Sequence, residues 1–153
     1  MLRTRLNEAL KEAMRAKNQR AVSTVRLILA ALKDRDIAAR SRGVMDGIDE
    51  AEMMSMLQSM IKQRGESIKM YEQGGRPELA EQEREEIAII EGFLPKQMSE
   101  EETAAAIRTV IGEVGATSIK DMGKVMAELK TRHAGQMDFA KAGPVVKQQL
   151  SGG

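Results

Sequence analysis

Apolar residues recur at helical spacing along nearly the whole of this chain. Leu2, Leu6, Leu10 and Met14 sit four apart and predict one apolar stripe on a first helix. The Asn18 region interrupts it. A second run from about Arg20 to Arg42 puts Val25, Leu29 and Leu32 on one side, with Ile28 beside them. Gly43 can close that helix, because glycine adopts the left-handed C-terminal conformation at little cost. Val44 to Ile48, with Gly47, reads as a loop. Asp49 followed by Glu52 has the arrangement of an N-cap, and Met53, Leu57, Met60, Ile61, Ile68 and Tyr71 form a long stripe behind it. Gly74-Gly75 ends that stripe. Arg76-Pro77 opens the next helix, since proline at the first helical position gives up no needed N–H. Its apolar face is Leu79, Ile87, Ile90 and Leu94, broken by Glu83.

Leu94-Pro95 reads as a joint, because proline disfavours helical geometry in the residue before it. Beyond it, Ser99-Glu100-Glu101-Glu102 is a capping box, followed by Ile107, Val110, Ile111 and Val114 and closed by Gly115. Ser118 caps a further helix striped by Met122, Val125, Met126 and Leu129, which Gly135 breaks. A last short helix includes Val145, Val146 and Leu150, with Pro144 tolerable only in its first turn. No segment alternates convincingly as a strand. The pattern therefore predicts an all-α protein of seven helices, four before Pro95 and three after. The expected domains are residues 1–94 and 95–153, a four-helix bundle followed by a three-helix bundle.

The Gly74-Gly75 turn allows a sharper expectation. In an antiparallel hairpin about it, Arg64 falls level with Glu86, Lys69 with Glu81, and Ile61 with Ile89 or Ile90. On the first of these helices, Met53 and Met60 follow the stripe and should be core. Met54 and Met56 lie off it and are candidates for a partner surface.

Charge changes the picture by being segregated. The net charge is only +1, yet residues 1–42 hold 11 Lys/Arg against 4 Asp/Glu, and residues 43–94 hold 5 against 12. Residues 95–153 are nearly neutral, with 8 against 7. The opposed blocks are read chiefly as two halves of one helical unit neutralising each other. No run of 18 apolar residues occurs and the N-terminus lacks the apolar core of a signal peptide, so the expected location is cytoplasmic, with no membrane partner.

Composition removes most catalytic chemistry. The chain has no Cys and one His, His133, so thiol nucleophiles, thiolate metal sites and multi-His sites cannot be built from it alone. His133 reads as a helix-end residue. Only Tyr71, Phe93 and Phe139 are aromatic, which disfavours a base-stacking platform. Gly74-Gly75-Arg76-Pro77 lacks the spacing of a phosphate loop, and Gly112, Gly115 and Gly123 make no dinucleotide fingerprint. Glu81, Glu83, Glu85 and Glu86 are spread around their helix, which argues against a metal site; neither metal nor cofactor is expected. The last third offers Lys120, Lys124, Lys130, Arg132, Lys141 and Lys147. Lys120 and Lys124 are four apart beside Gly123, a smooth spot where a phosphate backbone could come close. These six are the candidate RNA-binding residues.

Several segments together carry a resemblance. Lys62-Gln63-Arg64, Ser67-Ile68 and Tyr71 are followed by Gly75-Arg76, Leu79-Ala80, Glu86 and Phe93-Leu94-Pro95 with Gln97. Gly115-Ala116, Ser118 and Asp121-Met122-Gly123-Lys124-Val125-Met126 complete an ordered set over about residues 2–150. The set resembles the YqeY family, stand-alone relatives of the tail of the GatB subunit of tRNA-dependent amidotransferase. Gly65 departs from it, standing where the family usually has a charged residue. The resemblance implies a four-helix bundle followed by a three-helix bundle, and a tail that helps hold tRNA while glutamine hydrolysis and amide transfer occur elsewhere. It carries a tRNA contact onto Lys124. It also implies an association with carbon–nitrogen ligase activity using glutamine as amide donor, although this chain has no Cys for a glutaminase and no recognisable amidase Ser-Lys centre. The expected function is that of an accessory protein binding tRNA, or an amidotransferase- or translation-related protein, through the C-terminal unit. A helical protein-interaction module is the alternative, through the helix 3 methionines or the basic face of helix 2.

Overall fold

The computed structural model describes residues 1–152. Seven α-helices and one short 3₁₀ turn make up the regular structure, and no strand occurs among the described residues. They are α1 (Leu2–Arg15), α2 (Gln19–Arg40), α3 (Glu50–Gln73), α4 (Pro77–Glu91), α5 (Glu100–Val114), α6 (Met122–Arg132) and α7 (Phe139–Ser151). The 3₁₀ turn, Ile119–Asp121, leads directly into α6. Two compact units divide at Pro95, the first running from Met1 to Pro95 and the second beginning at Lys96.

The helix ends follow from local chemistry. The Asn18, Asp49, Ser99 and Asp138 side chains each accept a main-chain N–H that the first helical turn would leave unpaired. Ser99 and Glu102 close a reciprocal capping box. Helix α1 has no side-chain cap of its own; instead the Leu2 N–H donates to Glu50 at 2.7 Å, which pins it to the start of α3.

In the first unit α3 packs along α4 and α1 along α2, and α2 also meets α3 and α4. Leu6, Ile28, Met56, Leu57 and Ile90 are fully buried in its core, with Ile61, Phe93 and Leu94 packed around them. In the second unit α5, α6 and α7 pack pairwise, and Ile107, Val110, Val125, Leu129, Met137 and Val146 form the centre.

Four expectations need correction. The α1 stripe runs Leu2, Leu6 and Ala13, while Met14 is half-exposed. A spacing of four advances about 40° beyond a full turn at 3.6 residues per turn, so by Met14 the stripe has rotated off the core. Met56 is buried and Met54 is partly buried against the same core, so the two do not make an exposed methionine surface. The wide apolar arc of α3 comes from meeting both α4 and α2. Helix α7 begins at Phe139, five residues before Pro144, which lies inside it. Proline there removes a helical hydrogen bond; the Asp138 cap and the burial of Ala142 and Val146 outweigh that loss. Finally, no ion pair joins Lys69 to Glu81 among the described residues; Glu81 pairs with Arg84 at 3.5 Å, and Arg84 reaches Glu72 at 2.8 Å.

The Arg64–Glu86 expectation is met. Arg64 Nε donates to Glu86 Oε2 at 2.9 Å, and Glu83 Oε2 lies 3.9 Å from the same nitrogen. The charge blocks also meet at Arg20, which pairs with Glu85 and Glu86, and at Arg42, which pairs with Glu52.

Candidate functional site

The conspicuous N-terminal positions turn out to hold helices together. Arg64 is 13% exposed and braces α3 against α4 through Glu86 and Glu83, while also donating to the Met60 carbonyl. Burial and the nearby Glu86 charge push the Glu83 carboxyl above the ordinary carboxylate range, against the pull of Arg64. Arg76 is exposed before α4 and pairs with Glu78. Tyr71 is half-buried on α3, where Lys62 and Gln63 are exposed, and Pro95 is exposed after α4. The acidic run of α4 is thus shared among three arginines: Glu81 with Arg84, Glu83 and Glu86 with Arg64, and Glu85 and Glu86 with Arg20.

In the second unit the candidate cations fall into three kinds. Lys120 ends up in the 3₁₀ turn and Lys124 in the first turn of α6, both exposed, with exposed Gly123 between them. A side-chain carbon added to Gly123 would meet nothing within 4 Å, so the backbone there faces open space. The corner is held from behind. Asp121 accepts the Thr117 N–H at 2.9 Å and the Ser118 N–H at 3.3 Å, and these bonds, with the nearby Lys124 charge, hold its carboxyl below the usual range. Lys130, Lys141 and Lys147 are exposed but scattered. Helical phase turns Lys130 about 120° from Lys124 on α6, and Lys147 about 120° from Lys141 on α7. Among the described residues none of the five lysines has a carboxylate within ion-pair distance. Arg132 is different, because Glu113 of α5 and Glu128 of α6 both hold it. The six candidates therefore do not form one face. Lys120, Gly123 and Lys124 come together and Arg132 is neutralised.

Sequence reasoning missed another node, at the 43–48 loop. Arg3 donates to both Asp36 oxygens, at 2.8 and 2.7 Å, and to the Ile48 carbonyl at 3.0 Å. Asp36 in turn accepts the Ile48 N–H at 2.9 Å. Gly47 sits against this pair with φ +91°, and a Cβ there would lie 2.5 Å from the Arg3 guanidinium. A left-handed glycine in a short loop was the only sequence signal for it. The node fastens loop to helices and holds no open position.

The Yqey-like protein model matches residues 3–150 of this chain. The chain belongs to the YqeY-like family. It is also similar to fungal proteins named "Altered inheritance of mitochondria protein 41, mitochondrial". The relative from Lachancea thermotolerans is 31% identical over 111 residues, 71% of this chain and 57% of that protein. The relative from Pyrenophora tritici-repentis is 29% identical over 133 residues, 84% of this chain and 71% of that protein. The relative from Candida glabrata is 32% identical over 89 residues, 58% of this chain and 47% of that protein. This YqeY-like chain thus spans about half to three-fifths of the length of the first curated relatives it matches. The expected cytoplasmic location is corrected by these names, which are those of mitochondrial proteins. No helix among the described residues is long and apolar enough to cross a membrane.

Proposed function

We propose that this YqeY-like protein is an RNA-associated accessory factor whose second unit meets the phosphate backbone of tRNA at Lys120, Gly123 and Lys124. One observation carries the reading: two exposed lysines, neither held in an ion pair among the described residues although the Lys124 charge also acts on Asp121, flank a glycine with open space above its backbone. Lysine contributes point charges to phosphates, and a bare backbone lets a phosphate chain approach without steric cost. Lys130, Lys141 and Lys147 add longer-range attraction, and Arg132 adds little because Glu113 and Glu128 offset it.

The resemblance to the GatB tail supports tRNA as the substrate class and an amidotransferase- or translation-related complex as the protein partner. Amide transfer belongs in this reading to that partner, with the chain itself acting as a holder of RNA. The matching architecture we propose is a four-helix bundle of α1–α4 and a three-helix bundle of α5–α7, as domains 1–94 and 95–153. Following the relatives' names, we extend the proposal to a mitochondrial setting.

Titration of the full chain with bulk tRNA tests this, read by fluorescence anisotropy across a salt series. Two to three phosphate contacts give a log–log salt slope of about −2. Lys120→Glu with Lys124→Glu should weaken binding by about tenfold or more with an unchanged thermal melt, and Arg132→Ala far less. Absent or salt-insensitive binding ends the reading.

A further inference from the structure

The outer face of α2 has no role in the reading above. Arg26, Lys33 and Arg40 are seven apart and line up along one edge of this face, all exposed. Ala30 and Ile37 run beside them, and Leu27 and Asp34 form the opposite edge. Leu27 is 48% exposed and Ile37 49%, although both are large and apolar. Single exposed apolar residues are ordinary. Here two share a face with three cations, none of which has an ion-pair partner among the described residues. Arg20 and Arg42, at the two ends of the same region, are both paired with acids of α3 or α4. The Arg40 charge also acts on Asp36, so Arg26 and Lys33 are the cations of this face left most open between the paired Arg20 and Arg42.

We infer that this face docks an acidic amphipathic helix of a partner protein. Its apolar side would lie across Leu27, Ala30 and Ile37, and carboxylates would face Arg26, Lys33 and Arg40. From Leu27 to Ile37 the rise is about 15 Å, and from Arg26 to Arg40 about 21 Å, the span of roughly four helical turns. Helix-in-groove recognition places anchors at this spacing. Asp34 sets the polarity, since it repels acid on the Leu27 edge and favours it on the Arg26 edge. RNA would use the three cations but gain nothing from Leu27 and Ile37. An anionic membrane is disfavoured because only two large apolar side chains, each about half exposed, would be available to enter it. A second copy of the chain could offer its acidic α4. No large exposed apolar residue lies there to meet Leu27 or Ile37.

The test uses the full chain and a labelled peptide of about 18 residues, long enough to span the face. The peptide carries Leu at helical three–four spacing and Glu every seventh position. Controls are a scrambled peptide of the same composition, a Lys-for-Glu version, vesicles of phosphatidylserine and phosphatidylcholine, and an RNA duplex. The acidic helix should bind about tenfold more tightly than either control peptide. That preference should vanish in Arg26→Glu with Lys33→Glu, and separately in Leu27→Ser with Ile37→Ser. The two pairs remove charge and apolar anchors independently, so a folding defect in one leaves the other as the test. Equal binding of the scrambled peptide, preference for vesicles or RNA at these residues, or no saturable peptide binding overturns the inference. Lys120 and Lys124 are untouched in every variant, so tRNA binding and helix docking succeed or fail separately.

Discussion

Replacing Asp36 by Asn keeps the shape of the side chain and removes its charge. In the folded protein the hydrogen bonds from Arg3, the Ile48 N–H and the Arg3 and Arg40 charges hold this carboxyl at about 2, against an ordinary 3.8. Burial opposes them and loses. A folded pKa below the unfolded one means that stability is present above the unfolded value and drains as pH falls through the folded one. The difference is worth about 2 kcal/mol at neutral pH, lost between roughly pH 4 and pH 2. Asp36 is 21% exposed but Arg3 is 36%, so water screens part of the pair and about 1–2 kcal/mol is expected. Urea unfolding followed by circular dichroism at a series of pH values measures this. Asp36→Asn should lose about 1–2 kcal/mol near neutrality, and its deficit should shrink toward zero near pH 2. A deficit that stays constant across that window would refute the charge argument, and one below about 0.5 kcal/mol would refute the clamp itself.

Gly47→Ala should cost about 1–3 kcal/mol, because a positive φ and a Cβ pressed on Arg3 act together, whereas Gly65→Ala, mid-helix with open space, should gain about 0.5–1 kcal/mol. Thermal melts of the two variants separate them by sign. Arg64→Met leaves Glu83 and Glu86 facing each other and should cost about 2–3 kcal/mol; a double-mutant cycle with Glu86→Gln should return a coupling of about 1–2 kcal/mol, and strict additivity would reject the brace. Ser99→Ala opens the capping box of α5 and should cost about 1 kcal/mol in the unfolding of the second unit, read by hydrogen exchange at Glu102.

Why the Arg64–Glu86 pair was legible in the sequence and the Arg3–Asp36 pair was not is a matter of geometry. Two helices joined by Gly74-Gly75 can align in essentially one register, so residue numbers alone place Arg64 opposite Glu86. Arg3 and Asp36 lie on the packed helices α1 and α2, and their pair is completed by Ile48, which the 43–48 loop presents to both. Any of the many arginines near the N-terminus could have been the partner. Helix existence was legible throughout, since periodicity and caps such as Ser99 and Asp49 are local signals. Helix faces were less so, because a helix touching two neighbours buries a wide arc, which is how Met56 became core. The same division runs through the candidate site. The nearness of Lys120 to Lys124 is a local property and was legible, whereas the neutralisation of Arg132 depends on Glu113, which α5 brings in from nineteen residues away. A list of basic residues in a nearly neutral unit therefore overstates its charge available to RNA. Electrostatic reading of such a unit becomes sound only when each cation is counted after its carboxylate partners, and on that count the face near Gly123 has two lysines against Asp121, while Arg132 is held by two carboxylates of its own.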